Sequence, residues 1–464
     1  MKRWLLAGAC LLALTGCAGQ ESAKDITMPA PIVIKETESQ ENRETERAAP
    51  TEEMPQKGEK TGRKVPVKVK GIYLTAPVAG SEKRMDEIIG KIDETEINAV
   101  VIDFKNDMGR VTCSVDSQLI NEIDACQVEI KDMPGLIRRL KKHGIYTIAR
   151  IVAFRDPYLA EKRPEWCLKL SDGTVFRDRQ GLAWINPYKK EVWNYLTEIG
   201  EAAAENGFDE VQFDYIRFCT ERGVGDVVFE EKDTMGRSKA EAVTQFTSYV
   251  YRQLSDRIFV SADVFGGIIS SQVDAEAVGQ NYGDMAAELD YICPMIYPSH
   301  YGDGYFGIAH PDTEPYQTIR AALKGSAVEM KKHGSKGNPA IVRPWLQDFT
   351  ASYLDTYIEY GPEQVRAQIQ ALYDAGYDQW MLWSASCQYS WEGLKTPEEA
   401  EREAAQIKES RAALSRKGKE KGSDSQESSL AEFPELPEYV APAGSSRIDG
   451  TESVEVVIPQ MQMD

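Results

Sequence analysis

Residues 210–218 read Glu-Val-Gln-Phe-Asp-Tyr-Ile-Arg-Phe, a run in which apolar and polar side chains alternate. Side chains of a β-strand point alternately to opposite faces, so the apolar residues at 211, 213 and 215 share one face. That face suits a layer covered by helices, whereas Gln212 and Asp214 face the other way. A polar pair late in a strand has no packing purpose, and it indicates a functional site at the carboxyl end of that strand.

Seven further segments have the composition of strands, and helix-like segments follow each of the eight. The predicted strands are Val69–Ala76, Ala99–Asp107, Tyr146–Phe154, Glu210–Phe218, Phe259–Gly266, Asp290–Pro298, Ala340–Phe349 and Gln379–Ala385. Eight β/α units are the number that closes into a barrel. An open, doubly wound sheet is the alternative, but it would usually carry a glycine-rich phosphate loop where this chain has Thr75-Ala76-Pro77-Val78.

Loop lengths are asymmetric between the two ends of the predicted strands. Turns from helix to strand are short and contain Gly144, Gly207 or Gly376, whereas loops from strand to helix are long, over residues 107–133, 155–187, 219–238 and 299–313. Long loops at the carboxyl ends of the strands form the active-site face of such a barrel. The fold class is therefore predicted as α/β, a (β/α)8 TIM barrel over residues 65–410 with long βα loops.

The chain begins with the features of an export signal. Lys2 and Arg3 precede the apolar run Trp4–Leu14, and Leu14-Thr15-Gly16-Cys17 follows. The last four residues resemble a bacterial lipobox, so residues 1–17 are predicted to be a lipoprotein signal peptide with a lipid on Cys17. An ordinary signal peptide with an incidental cysteine is the alternative. The protein is expected at the cell membrane, lipid-anchored on the extracytoplasmic face.

Two segments that flank the predicted barrel have the composition of disordered chain. Residues 18–64 are rich in Glu, Lys, Thr and Pro and are predicted to be a disordered tether. Residues 411–464 begin with Lys and Arg and continue with Ser, Glu and Pro, and they are predicted to be a disordered tail. No second folded domain is expected.

Charge and cysteine content exclude some classes of partner. The chain has 464 residues, with 54 Lys and Arg against 74 Asp and Glu, so nucleic-acid binding is not expected. It has four His and no Cys-x-x-Cys pattern, so a zinc site built from Cys and His is not expected. Nothing in the sequence supports a divalent ion near Asp103 or Asp263, and no cofactor is expected. Cys113 and Cys126 could form a disulfide in an exported protein, but the sequence does not decide this.

Alternation along the other strands places more polar and aromatic residues inside the barrel mouth. Asp263 follows Ser261 on the fifth strand, and Asp103 and Lys105 lie on the second. The remaining strands contribute Arg150, Tyr297, Arg343, Trp345, Gln347 and Trp383. Carboxylates in a cleft with Trp and Tyr suit glycoside hydrolysis, in which one carboxyl protonates the leaving oxygen and the other attacks or activates water. The alternative is a salt-bridge network that fills the barrel mouth.

Six blocks of the sequence carry a family resemblance: Gly71–Thr75, Val101–Asp107, Trp184–Pro187, Gln212–Phe218, Ser261–Gly266 and Pro294–Tyr301. They resemble a bacterial family of TIM-barrel glycoside hydrolases, often exported, whose substrates are largely undefined. The resemblance covers roughly residues 65–400 and implies that Asp214 is the leading catalytic residue, with Asp263 as its partner. Two features depart from related patterns: Cys219 stands where the family usually has Pro, and Gln212 where α-amylases have Arg.

The residues and the resemblance together define a candidate site without a metal ion. The catalytic candidates are Asp214, Asp263 and Asp103. The substrate-binding candidates are Tyr73, Lys105, Arg150, Trp184, Asn186, Gln212, Arg217, Tyr297, His300, Trp345, Gln347 and Trp383. The leading hypothesis is a surface-anchored glycoside hydrolase acting on a poly- or oligosaccharide. A non-catalytic carbohydrate-binding lipoprotein is the alternative, and a polysaccharide deacetylase, which needs a metal held by His and Asp, is a poorer third.

Overall fold

The eight predicted strands form one closed parallel barrel. A computed structural model describes residues 66–333 and 339–420, so Cys17, the tether and most of the predicted tail lie outside the described residues. The strands are β1 (Lys70–Leu74), β2 (Ala99–Lys105), β3 (Tyr146–Val152), β4 (Glu210–Asp214), β5 (Phe259–Phe265), β6 (Tyr291–Met295), β7 (Ile341–Val342 and Trp345–Gln347) and β8 (Trp380–Trp383). Each strand pairs with its neighbours in sequence, and β8 pairs with β1 to close the barrel. The predicted TIM barrel is confirmed.

In the described part of the chain, seven longer helices pack outside the strands. They are α1 (Glu82–Asp93), α2 (Met133–Lys142), α3 (Lys190–Glu205), α4 (Lys239–Leu254), α5 (Pro315–His333), α6 (Pro362–Asp374) and α7 (Pro397–Glu420). Shorter helices span Ala76–Ala79, Gln118–Ile123, Pro157–Lys162, Glu231–Thr234, Gln272–Val278 and Tyr282–Ala286. Local sequence explains their starts: Ser238 and Glu241 form a capping box at α4. Helix α7 continues past the predicted boundary at residue 410. None of the described helices is long and apolar enough to cross a membrane.

The seventh strand is interrupted where one continuous strand is predicted. Proline has no backbone N–H to donate to a neighbouring strand, and Pro344 lies between the two segments of β7. Its carbonyl still accepts a hydrogen bond from the N–H of Met381 at 2.9 Å. The break therefore leaves the barrel closed.

A buried ion pair fills the amino-terminal end of the barrel. Arg343 Nη1 lies 2.9 Å from Glu210 Oε1, and its guanidinium stacks 3.8 Å from the ring centre of Tyr291. Tyr146 donates to Glu210 Oε2 at 3.1 Å. The expectation that Arg343 reaches the mouth is wrong, because it lies early on β7 and pairs with the first residue of β4.

Two long loops are tied together above the mouth. Lys169–Leu170, after β3, pairs antiparallel with Val227–Val228, after β4. Beneath them lies a small apolar cluster that is separate from the main core and includes Trp184 and Tyr215. The loops that rim the mouth therefore have a packed core of their own.

Candidate active site

Arg150 lies at the centre of the site and contacts three carboxylates. Its Nε and Nη2 atoms both donate to Asp214 Oδ2, at 2.9 and 2.7 Å. Its Nη1 atom donates to Asp103 Oδ1 at 2.7 Å and to Asp107 Oδ2 at 3.1 Å. The register explains the convergence, because Arg150 pairs with Asp103 on β2, and Asp214 ends β4 on the other side. Burial alone would lower the pKa of Arg150, but the three carboxylates raise it well above its usual value.

An aromatic wall connects this cluster to Asp263. The hydroxyl of Tyr73 donates to Asp103 Oδ2 at 2.5 Å, and its ring stacks on Trp383 at 4.2 Å between centroids. Trp383 packs edge-on against Trp345 at 5.6 Å. The indole of Trp345 in turn donates to Asp263 Oδ1 at 2.7 Å. Residues of β1, β2, β5, β7 and β8 thus meet in one buried cluster, as the alternation along the strands predicts.

The carboxyl groups differ in their environments. Burial raises the pKa of Asp263 well above its usual range, the negative charge of Asp214 adds to the shift, and the Trp345 hydrogen bond opposes it. Burial also raises the pKa of Asp103 to about 6, against the opposing charge of Arg150. Asp214 accepts two hydrogen bonds from one guanidinium, a contact that Asp263 lacks. The site therefore combines a paired carboxylate with a buried carboxyl that favours its protonated form.

Tyr297 has a buried hydroxyl without a protein partner near this cluster. The residue follows β6 and is almost fully buried, and its hydroxyl makes no hydrogen bond to the described residues. Burial raises the pKa of that hydroxyl well above its usual value, and the charges of Asp263 and Asp214 raise it further. A buried hydroxyl without a partner is costly, so a ligand hydroxyl or water is its natural partner.

The residue that follows Asp214 has a strained backbone conformation. Tyr215 has φ of +52°, a left-handed conformation that is uncommon for an aromatic residue. Its N–H donates to Asp214 Oδ1 at 2.6 Å, so the turn itself orients the carboxylate. β4 ends at Asp214, earlier than predicted, and this turn is the reason. Strain of this kind is concentrated at functional sites.

Two residues of the site are absent from the sequence-derived candidates. Asp107 contacts Arg150, and Arg155 lies 3.7 Å from Asp107 and 3.8 Å from Asp178. Arg155 also donates to the hydroxyl of Tyr215 at 3.1 Å. Asp107 is the last residue of the block 101–107, which carries the family resemblance. Its place in that block could have identified it as a site residue from the sequence. Arg155 lies just after β3, where alternation no longer predicts a direction.

Lys105 does not reach the carboxylate cluster, contrary to the prediction. The pairing of β2 with β3 shifts between Asp103 and Lys105, which is a β-bulge. A bulge reverses the alternation beyond it, so Lys105 leaves the face that carries Asp103. Its ammonium is fully buried, 2.8 Å from Asp156 Oδ2 and 2.6 Å from the Val152 carbonyl oxygen. Its observed contacts are those of a structural ion pair.

Two glutamines predicted to bind substrate make protein contacts. Gln212 donates to Cys293 Sγ at 3.3 Å, while its Oε1 is buried without a partner. Gln347 donates to Asp312 Oδ1 at 3.0 Å and accepts from the Ser299 N–H at 3.1 Å. Gln347 therefore fastens the loop after β6 to β7. His300, on that loop, is half-buried and bonds to the Ser299 hydroxyl at 3.1 Å, and burial lowers its pKa to about 4.

The loop candidates Trp184, Asn186 and Arg217 divide into two groups. Trp184 donates to Asp178 Oδ2 at 3.0 Å and lies beneath the guanidinium of Arg217. Asn186 instead accepts from the Tyr188 N–H and donates to Asp233, contacts that hold the loop before α3. Trp184 and Arg217 thus both lie against Tyr215, the residue that follows Asp214, whereas the observed contacts of Asn186 belong to its loop.

Residues 66–333 and 339–420 contain neither a group of metal ligands nor a disulfide. No three His, Cys, Asp or Glu side chains there are grouped so as to hold a metal ion. Cys113 and Cys126 are free thiols in the structure. Burial raises the pKa of Cys113 to about 12, and the neighbouring Cys126 contributes to the shift.

The chain is similar to several solved structures, although no curated protein matches it. A hypothetical protein from Ruminiclostridium thermocellum is 37% identical over 42% of this chain and 97% of its own, with a TM-score of 0.39. The PgaB (BpsB) glycoside hydrolase domain from Bordetella bronchiseptica is 13% identical over 69% of this chain and 94% of its own, with a TM-score of 0.48. The family described as "putative glycosyl hydrolase domain" matches residues 71–389, and the chain belongs to that family.

Proposed function

We propose that this protein is a surface-anchored glycoside hydrolase that cleaves a poly- or oligosaccharide with Asp214 and Asp263. Membership of the glycosyl hydrolase family supports the reaction class. The observation that carries the assignment is the contrast between two neighbouring carboxyls. Asp214 is paired with Arg150, whereas burial and the charge of Asp214 raise the pKa of Asp263. This contrast favours Asp263 as the proton donor, beside a carboxylate that a guanidinium holds in place.

In this mechanism Asp263 is the general acid. Its proton passes to the glycosidic oxygen as the bond to the sugar breaks, and the leaving group departs as an alcohol. Asp214 either attacks the anomeric carbon or removes a proton from the attacking water. Arg150 positions Asp214 through two hydrogen bonds. The hydroxyl of Tyr297 is free to bind a substrate oxygen beside them.

Stereochemistry distinguishes the two roles of Asp214. A nucleophile requires carboxyls about 5–5.5 Å apart and retains the anomeric configuration, whereas a base requires about 6.5–9.5 Å and inverts it. Proton NMR of the first product formed by the enzyme reports which anomer appears. Either outcome assigns a role to Asp214 without further structural information.

The central experiment is the release of reducing ends from bacterial, plant and host glycans. The wild-type chain is compared with Asp214→Asn and Asp263→Asn, and Asp86→Asn on the exposed face of α1 is the matched control. We expect each site variant to lose at least about a thousandfold in rate while retaining its fold, because each removes a group required in the transition state. Full activity in Asp214→Asn would exclude the assignment.

The second candidate is a carbohydrate-binding protein without turnover. The observation that favours it is the low exposure of the carboxyls: 3% for Asp214, 2% for Asp263 and 4% for Asp103. In that case, the wild-type chain binds a glycan but releases no reducing ends, and Asp214→Asn leaves the affinity unchanged. Isothermal titration calorimetry with the same glycan panel distinguishes this candidate from the hydrolase.

Anchoring at the extracytoplasmic face of the membrane is supported by residues 1–17 alone, which carry the lipobox-like Leu14-Thr15-Gly16-Cys17. Metabolic labelling with a fatty acid, followed by membrane fractionation, tests this part of the proposal. We expect label on the wild-type chain and none on Cys17→Ala. Labelling that persists in Cys17→Ala would contradict it.

A further inference from the structure

Aromatic rings surround the guanidinium of Arg217 at the edge of the barrel mouth. This residue follows Asp214 by three residues, beyond the strained turn at Tyr215. Its guanidinium carbon lies 4.8 Å from the ring centres of Trp184 and Phe265, and 5.3 Å from that of Tyr215. The rings come from the loop after β3, the end of β4 and the end of β5. Three elements of the barrel therefore surround one half-buried cation.

This cation has no carboxylate partner in the described part of the chain. Its one hydrogen bond runs from Nη1 to the Phe218 carbonyl oxygen at 3.2 Å. Arg150 and Arg155, the other arginines of the mouth, each pair with carboxylates. An arginine has five N–H donors, so most donors of the Arg217 guanidinium remain available to a ligand. Burial lowers the pKa of Arg217, which is the expected cost of a charge that is desolvated and unpaired.

We propose that Arg217 binds the carboxylate of an acidic sugar, so that the substrate is an anionic glycan. This inference rests on the proposed glycosidase function and deepens it. The planar guanidinium matches the two oxygens of a carboxylate, and the aromatic rings exclude water from the contact, which strengthens it. One cation matches a monoanion better than a phosphoryl dianion. Tyr215 contacts both residues, with its ring 5.3 Å from the Arg217 guanidinium and its N–H donating to Asp214, so the acidic sugar lies next to the cleaved bond.

The competing explanation is that Arg217 only fills space between the rings. Cation–π contacts are worth about 0.5–2 kcal/mol without any ligand. The two explanations differ in one measurable respect. A packing role affects all substrates alike, whereas an anion-binding role affects acidic glycans and spares neutral ones.

Matched substrates provide the test. The probes are a uronic-acid oligosaccharide and a muramic-acid wall glycan, each paired with the same glycan after its carboxyl groups are reduced to alcohols. Both the uronate and the lactyl group of muramic acid carry a carboxylate. Comparison of the two substrate pairs shows which of these carboxylates the enzyme recognises. Arg217→Met removes the charge, Arg217→Lys keeps it without the fork, and Arg257→Met, at an exposed ion pair, is the control.

We expect Arg217→Met to lower kcat/KM on an acidic glycan by roughly 10–100-fold, which corresponds to the loss of a charge-assisted hydrogen bond. On the reduced counterpart, the loss should stay within about twofold, and Arg217→Lys should be intermediate on the acidic glycan only. Equal losses on both members of a pair would overturn the inference. So would a wild-type enzyme that cleaves the reduced glycan as well as the acidic one.

Binding measurements separate this inference from the proposed function. Affinity for both members of each pair is measured by calorimetry on the wild-type chain and on Arg217→Met. If no glycan is hydrolysed, the hydrolase assignment fails, but a preference for the acidic member that disappears in Arg217→Met still supports the inference. Equal affinity for both members overturns it, whatever the catalytic result.

Discussion

Arg150 donates two hydrogen bonds to a single oxygen of Asp214, from Nε at 2.9 Å and from Nη2 at 2.7 Å. The Nη1 atom of the same guanidinium donates to Asp103. Arg150, on β3, therefore connects carboxylates of β2 and β4, the strands on either side of it. A lysine could not replace it, because an ammonium lacks the planar fork that spans these oxygens. Arg150 therefore orients the carboxylates as a set.

Removal of Arg150 should cost stability. Arg150→Met leaves three buried carboxylates without their shared cation, and loss of one member of a buried pair typically costs about 3–5 kcal/mol. Urea denaturation measures the free energy of unfolding. Arg84→Met, at an exposed ion pair on α1, is the control and should cost less than about 1 kcal/mol. An unchanged unfolding midpoint in Arg150→Met would contradict this account of the cluster.

The indole of Trp345 should set the alkaline limb of the pH profile. Its hydrogen bond to Asp263 lowers the pKa of that carboxyl, so Trp345→Phe should raise the pKa further. A general acid must be protonated to act, and the alkaline limb of kcat/KM should therefore move to higher pH. Trp383→Phe, which loses no bond to Asp263, should leave the limb in place. A downward shift in Trp345→Phe would be inconsistent with Asp263 as the acid.

Tyr297 offers a test of a hydroxyl with no protein partner. Tyr297→Phe should leave stability unchanged or raise it, because removal of an unsatisfied buried group saves about 1–3 kcal/mol of desolvation. Activity should fall by about tenfold or more if the hydroxyl binds substrate. Tyr195→Phe is a close control, since that hydroxyl is also buried and unpartnered but lies on α3. Equal activity in both variants would remove Tyr297 from the site.

Lys105 should behave as a structural residue. Lys105→Met leaves Asp156 buried without its cation and should lower the free energy of unfolding by about 3–5 kcal/mol. The folded fraction should keep kcat/KM within about twofold. Adding Asp156→Asn removes the stranded charge but keeps an acceptor for the Leu159 N–H, so the double variant should recover part of the loss. A selective loss of activity in a stable Lys105→Met would restore the substrate-binding interpretation.

His300 should make stability depend on acid pH. Burial lowers its pKa in the folded protein to about 4, below the unfolded value of about 6.5. The stabilisation is therefore complete above about pH 6.5 and is lost as the pH falls through about 4. Relative to His300→Asn, the wild type should lose at least about tenfold in its folding equilibrium constant between pH 7 and pH 4. A constant difference between the two proteins would show that His300 is not desolvated.

The order of strands and helices could be predicted from the sequence, because alternation and helix periodicity are local properties. The same alternation placed Asp103, Asp214 and Asp263 on the inner face, and their convergence followed from the closure of eight parallel strands. Cys17 and the predicted tether remain predictions, since they lie outside the described residues. Local pattern thus defined the fold and the three carboxyls together.

Tertiary structure alone decided which polar residues share the cluster around Arg150. A bulge between Asp103 and Lys105 turns the lysine away, and a two-residue pattern does not show where a bulge falls. Arg343 follows the alternation but lies too early on β7, where Glu210 neutralises it. Sequence determines the face of a strand because side-chain direction is local. Partners and depth depend on register between strands far apart in the chain, and only the folded barrel sets that register.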